Sequence, residues 1–471
     1  MSHFLSTYRR PISRCTRIVL FAALFVSLAG AQAPSGEVTE ADAPPMVTGT
    51  TPSYPGLPRR GEGLTTDIKG VNVRFYGTIL FNASLSSAGV IGQEVPLWAG
   101  NPASAVTFPD GSVGRAGNNH DLVFTMRQSI VGVTLNPDKP LGSWTPSALV
   151  EMDFFGSRTA DTFSPENRLF NQPRLRLGYF QLEHKSVKIV VGQDKMILAP
   201  LDPVSLSHVG VPLGATAGDL WAWLPQVRVD WNTSMGSTGV LVQAGILRPQ
   251  FGDTRLEAAP ASGSVIDLGS SGLGERSSQP FYQARVALSP KVGRNTATFG
   301  IAGHYGQEVI GVNRNLGSWA TAIDMRLPLS RYLILRGEGF AGSNLIPFQG
   351  GIFEGAAVQA VAGQPTRIRG IGDAGGWVEL IVPMNSGKDT LYFGAGTDDP
   401  KNANLLPGTT REKNSFLWAS YFRRLTRDVT LAAEWSFWDF KTITFSGPNN
   451  SESHGPAAIA HVANISLSYQ F

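Results

Sequence analysis

Eight arginines and seven carboxylates stand out because their spacing puts them on one side of the chain. Arg174 and Arg176, Arg228 and Asp230, Asp324 and Arg326, Arg336 and Glu338, and Glu151 and Asp153 are each two residues apart. Two residues is the side-chain repeat of an extended strand, so both members of a pair project from one face. Arg74, Arg127, Arg285, Glu379 and Glu434 fall on the same polar parity of their own segments. A guanidinium is always charged and presents a planar fork that fits a carboxylate or phosphate in two contacts. A row of them along a wall would hold small anions weakly at several places in series, which is what passage requires. The same residues can also pair with the acids and brace the wall. For any single arginine, bracing is the stronger expectation. The group as a whole is expected to leave a mildly basic field.

A second set of polar residues lies in the segment 201–225, which holds Asp202, His208 and Asp219 among small residues and closes on Trp221-Ala222-Trp223. A connector of this length can fold inward as a constriction or lie on the surface, and the sequence weighs the two about evenly. Asp202, Ser205 and His208 have the composition of a hydrolase triad. They sit within one loop, with no strand-to-helix elbow, so we read them as loop polar residues. Gly337 to Gly342 matches G-x-G-x-x-G, but no helix follows it. Asp398-Asp399-Pro400 with Asn402 and Asn404 could hold calcium at an outer loop, although turn composition explains it without a metal. The histidines form no H-E-x-x-H. No cofactor is expected.

The elements that would position these residues are strands. Val227, Val229 and Trp231 alternate with Arg228, Asp230 and Asn232. Val71, Val73, Phe75, Ile79 and Phe81 alternate with Asn72, Arg74, Tyr76, Thr78 and Asn82. Similar runs occur around 319–327 and 429–437, with no sustained helical period between them. Short connectors, as at 183–186, 234–237, 328–331 and 425–428, take turns with long ones at about 88–120, 158–172, 200–225, 250–278, 343–374 and 398–412. That rhythm predicts an all-β transmembrane antiparallel barrel over 70–471. It would have about 16 strands, short periplasmic turns and long extracellular loops. Trp98, Trp221, Trp223, Trp377, Trp418, Trp438, Tyr421 and Tyr469 fall near strand ends and suggest aromatic girdles at the two interfaces.

The front of the chain reads as an export signal. Arg9, Arg10, Arg14 and Arg17 precede an uncharged apolar run from Ile18, and Ala29-Gly30-Ala31 offers a cleavage site. The expected signal peptide is 1–31, followed by a flexible proline-rich lead-in at 32–69. The only cysteine, Cys15, lies in the signal, so a mature chain would have no disulfide or thiolate site. Removing the four arginines leaves 35 basic residues against 36 acidic ones. That balance gives no support to a nucleic-acid partner.

Two resemblances add to this reading. The last seven residues, Ile465-Ser466-Leu467-Ser468-Tyr469-Gln470-Phe471, alternate strictly and end on an aromatic. They resemble the closing strand of outer-membrane barrels, which implies an outer-membrane location among lipids and handling by the barrel-assembly machinery. Glu151-Met152-Asp153-Phe154-Phe155-Gly156, then Arg174-Leu175-Arg176-Leu177-Gly178-Tyr179, Val191-Gly192-Gln193-Asp194 and Leu224-Pro225-Gln226-Val227-Arg228 resemble the DcaP-type porins. That resemblance covers about 147–231. It implies a homotrimer with a basic pore for dicarboxylate and aromatic-acid anions, with Arg174, Arg176 and Arg228 in the wall. The chain departs from that family in its proline-rich lead-in and in Asp194-Lys195-Met196 after the Val-Gly-Gln turn.

The expected function is passive passage of small hydrophilic solutes, with a mild preference for small anions and no catalysis. The expected wall residues are Arg74, Arg127, Arg174, Arg176, Arg228, Asp230, Arg285, Arg326, Arg336 and Glu338. Asp202, His208 and Asp219 are expected at the constriction. The rivals are a barrel enzyme of lipase or protease type, a non-conducting adhesin barrel, and a sugar channel with Tyr76 and Phe340 on its path.

Overall fold

The structure, a computed structural model, describes residues 56–471 apart from 58, 102, 119, 157–170, 252–270, 294, 360–362, 364–365 and 447–449. The expected signal peptide and the lead-in up to residue 55 lie outside the described residues.

Sixteen antiparallel strands close into one barrel. They are β1 Val71–Ser86, the interrupted β2 (Leu122–Thr125 and Ile130–Pro137), β3 Thr145–Gly156 and β4 Gln172–His184. Next come β5 Val187–Lys195, β6 Trp223–Met235, β7 Thr238–Leu247 and β8 Phe281–Ser289. The second half is β9 Thr298–Gly311, β10 Arg314–Ser330, β11 Leu333–Ser343 and β12 Gly372–Met384. The last four are β13 Asp389–Pro400, β14 Arg411–Arg424, β15 Val429–Ser446 and β16 Ala458–Gln470. Closure is made by β16 on β1, from Thr78 opposite Gln470 to Ser86 opposite Val462. Beyond it, Phe471 and Gly77 exchange backbone hydrogen bonds of 3.0 and 3.1 Å. A closed ladder leaves no sheet edge unpaired, which a wall in hydrocarbon requires.

The wall is apolar outside and polar inside. On β6, Val227, Val229 and Trp231 are 43%, 43% and 47% exposed, while Gln226, Arg228 and Asp230 are 5%, 1% and 0% exposed. A water-soluble sheet would show the opposite order. Exposed apolar side chains on alternate positions all round the barrel fit a lipid surface. No helix among the described residues is long and apolar enough to cross a membrane.

Connectors at one end are short, as at 236–237, 331–332 and 385–388. Those at the other end include 87–121, 196–222, 248–280 and 344–371. The expected alternation fails once: β9 and β10 are joined by residues 312–313 alone. Here the strands themselves, 14 and 17 residues long, extend as a hairpin in place of a loop.

Two other expectations need correction. Trp98, Trp221, Trp377, Trp418 and Trp438 do not form girdles; all are buried inside the barrel. Their positions follow strand parity: Trp418 falls between outward Leu417 and Ala419 and must point inward. Trp98, Trp377, Trp418 and Trp438 pack with Phe416 and Phe440 under the loops, and the Phe416 ring stacks on Trp438 with centroids 5.1 Å apart. The outward aromatics include Trp231, Trp319, Trp435, Tyr282, Tyr305 and Tyr469. The end of the lead-in is also not a free linker. Leu64–Asp67 forms a short strand on β1, and Leu57 is buried in the barrel interior. Proline-rich composition hid an apolar anchor and a four-residue pairing segment.

Candidate functional site

The segment 196–222 leaves β5 and crosses the barrel interior before returning as β6. Nearly all of it is buried. Its backbone is tied to polar side chains on strands around the wall, not to a ladder of its own. Leu201 N–H donates to Glu338 Oε1 on β11 (2.7 Å), and Val204 N–H to Glu379 Oε1 on β12 (2.8 Å). Val209 and Gly210 N–H both donate to Gln128 Oε1 (2.6 and 2.7 Å). Gln128 reaches them from a bulge in β2, where 126–129 stand opposite 79–81. Arg176 Nη1 on β4 donates to Val209 O (2.9 Å), and Asn414 Nδ2 on β14 to Thr216 O (3.0 Å). One cavity, lined by Asp202, His208, Val209 and Trp221 among others, holds about 20 Å³, room for a single water.

The three residues expected at the constriction are therefore brought together inside the barrel. Asp202 Oδ1 accepts from Lys195 Nζ at 2.5 Å. His208 Nδ1 lies 3.4 Å from Glu434 Oε1 on β15. Ser207 Oγ donates to the same carboxylate oxygen at 2.5 Å and sits 3.0 Å from His208 Nδ1. Serine and carboxylate both meet one ring nitrogen. A nucleophile relay needs them on opposite nitrogens, so this arrangement fixes the loop instead of activating a hydroxyl. Asp219 is buried with the Trp377 side chain as a hydrogen-bonding neighbour, and no bond of ordinary geometry satisfies either carboxylate oxygen. Burial pushes the Asp219 carboxyl well above the ordinary carboxylate range, and the Asp202 charge adds to this while Lys195 opposes it.

Six of the eight arginines are held in ion pairs. Arg127 binds Glu94 (3.0 Å), Arg174 binds Asp153 (2.5 Å), and Arg176 binds Glu151 (3.2 Å) and Asp153 (3.1 Å). Arg228 binds Asp194 (2.9 Å) and Asp230 (3.0 Å). Arg285 grips Asp324 in two contacts of 2.8 and 2.7 Å, and Arg336 meets Glu379 at 2.5 Å. Of the expected in-strand pairs only Arg228 with Asp230 forms. Asp324 goes to Arg285 and not to Arg326, and Arg336 goes to Glu379 and not to Glu338. Cross-strand neighbours stand closer than residues two apart on one strand, and Arg336 lies directly opposite Glu379. Glu338 instead caps the loop at Leu201. Arg326 has no hydrogen-bond or ion-pair partner among the described residues, and it faces Arg336 across the β10–β11 ladder. Arg74 has no acidic partner there either; its one contact is Thr65 Oγ1 at 3.5 Å.

The Arg285–Asp324 pair reaches across β9 because Gly300 stands between them. A Cβ at Gly300 would lie 2.1 Å from Asp324 Oδ2 and 2.8 Å from Arg285 Nε. Gly300→Val is expected to break the pair and cost about 3 kcal/mol, as removing one side of a buried pair does. Urea unfolding in detergent micelles, followed by tryptophan fluorescence, checks this. An unchanged midpoint would mean that the pair does not brace the wall.

Tyr76 and Phe340 are both buried inside the barrel, and the Tyr76 hydroxyl donates to Glu151 Oε2 (3.1 Å). Gly337 to Gly342 lies within β11 and forms no phosphate loop. Asp399 is paired with Lys413 (2.7 Å), and Asn404 Oδ1 accepts from Gly372 N–H (3.0 Å). Lys195, Gln128, Glu94 and Ser207 were not legible as site residues. Lys195 and Gln128 sit at a strand end and a bulge, where parity arguments stop.

No protein-family model and no curated protein sequence matches the chain. Solved structures do. The outer membrane channel DcaP of Acinetobacter baumannii is 15% identical with a TM-score of 0.60, over 87% of this chain and 99% of that one. An anion-selective porin from Comamonas acidovorans is 12% identical with a TM-score of 0.49, over 85% of this chain and 100% of that one. OmpT of Vibrio cholerae is 11% identical with a TM-score of 0.48, over 87% and 100%. At 15% identity the likeness to the first is one of fold: this chain is a 16-stranded barrel with the architecture of outer-membrane porins.

Proposed function

We propose that the chain is a passive outer-membrane porin, open to small hydrophilic solutes with a mild preference for anions such as dicarboxylates. The reading involves no catalysis and no cofactor. The observation that carries the anion preference is Arg326, an inward guanidinium without a partner among the described residues, next to Arg336. Arg74 adds a second positive charge without an acid beside it. An unpaired guanidinium in a narrow passage raises the local anion concentration without holding any one ion tightly. The motifs between Glu151 and Arg228, with the DcaP fold likeness, support a DcaP-type relation and a homotrimer. The terminal strand supports recognition by the barrel-assembly machinery.

One observation favours a second reading, a barrel that does not conduct: Arg228, Asp230 and Glu379 are all but inaccessible inside the wall. Planar-bilayer recording in a KCl gradient separates the two. Discrete steps with a reversal potential of anion-selective sign are expected, and Arg326→Glu should move that potential toward the cation side. A cation-selective reversal in the parent chain would discard the anion preference. A lack of steps would favour the second reading.

A further inference from the structure

We propose that Gly56, Leu57 and residues 59–67 form a latch that holds the inward loop shut from the short-turn end of the barrel. The inference rests on the channel reading above and adds a control element to it. Gly56, at φ 96°, lies against the loop: a Cβ there would come within 2.7 Å of Leu206 Cδ1 and 2.9 Å of Ser468 Oγ. Leu57 is buried in one apolar cluster with Val204, Leu206 and Val209 of the loop and with Leu80 and Ile130 of the wall. Its carbonyl accepts from Gln470 Nε2 on β16. Arg60 then reaches inside to Glu151, with Nε at 2.9 Å and Nη2 at 3.1 Å. Glu151 also holds Arg176, which in turn donates to Val209 O, so the latch and the loop share one charged group.

The outer attachments are weaker. Arg59 meets Glu62 (3.2 Å), Asp428 (3.5 Å) and the Arg427 carbonyl, Glu62 meets Arg427 (2.8 Å) in an exposed pair, and Leu64–Asp67 adds only four residues of ladder, all exposed. Exposed ion pairs and short edge pairings contribute little. The segment therefore has a firm seat inside and a loose strap outside, and it is covalently continuous with the chain before it. Pulling or displacing it would uncover Leu206 and take one guanidinium from Glu151. The loop would lose its support from below without any strand having to move.

The test uses the full chain carrying Leu57→Asp with Arg60→Gln, recorded in planar bilayers beside the parent. The heat-dependent gel shift of the folded barrel serves as the folding control. The paired variant should spend at least ten times longer in the high-conductance state than the parent. A cysteine placed at Leu206 should react with a polar maleimide only in the latch variant. Equal conductance in parent and variant, with Leu206 equally shielded, would overturn the latch and leave the channel reading standing. If neither conducts but a variant with residues 203–217 replaced by a Gly-Ser linker does, the latch is overturned again. If none of the three conducts, the channel reading falls and the latch falls with it.

Discussion

Replacing residues 203–217 with a short Gly-Ser linker is expected to raise single-channel conductance on the order of tenfold, because a barrel of this strand number otherwise encloses an aqueous channel. The loop crosses the interior and bonds to β2, β4, β11, β12, β14 and β15. Its removal returns Glu379, Glu434 and Gln128 to water, so they keep hydrogen-bond partners and impose no buried-charge cost. The wall pairs Arg336–Glu379 and Arg285–Asp324 remain, and the barrel should fold. Conductance equal to the parent's would mean that ions pass elsewhere and that the loop is not the constriction.

The second large effect is a dependence on pH set by Asp219. Its carboxyl is buried among Asp202, Lys195 and Glu338, with the Trp377 side chain as a hydrogen-bonding neighbour that opposes the shift. Burial, the largest cause, and then the Asp202 charge raise its titration in the closed loop. Asp202 is itself raised by burial against the opposing pull of Lys195. A raised value means that the protonated form favours closure. That stabilisation is complete below the value of a solvated carboxylate and is lost as pH rises through the closed-state value. Between the two, each pH unit changes the closed-to-open balance by about 1.4 kcal/mol, or tenfold. The open fraction should therefore climb with pH, and Asp219→Asn, neutral throughout, should flatten the profile and stay closed. Bilayer recordings from pH 4 to 9 read both. A variant that keeps the full slope would place the titrating group elsewhere.

Much of the wall was legible in the sequence because a barrel strand has only two faces. Val227, Arg228, Val229 and Asp230 each point where parity puts them, and the strand number follows from counting such runs. Partners were less legible. Asp324 and Arg326 share a face, yet Asp324 turns to Arg285 two strands away, through a gap that only Gly300 leaves open. Pairing across strands depends on register, and register is not visible in any one segment. The tryptophans misled for a related reason: position near a strand end suggests an interface, but parity decides whether the ring meets lipid or the interior. The inward course of 196–222 was an even choice in the sequence. Its fixing groups, Gln128, Glu379 and Glu434, come from three distant strands, so only the closed barrel brings them together.

Every functional statement rests on which side of the wall meets hydrocarbon. Nitroxide scanning of β9 in liposomes, with a cysteine at Phe299 and at each position from Ile301 to Tyr305, tests this most directly. Oxygen accessibility should peak at Phe299, Ile301, Gly303 and Tyr305 and fall at Ala302 and His304, matching their exposure in the barrel. The opposite phase, or a flat profile with free access for a water-soluble relaxer at every site, would contradict a lipid-facing barrel.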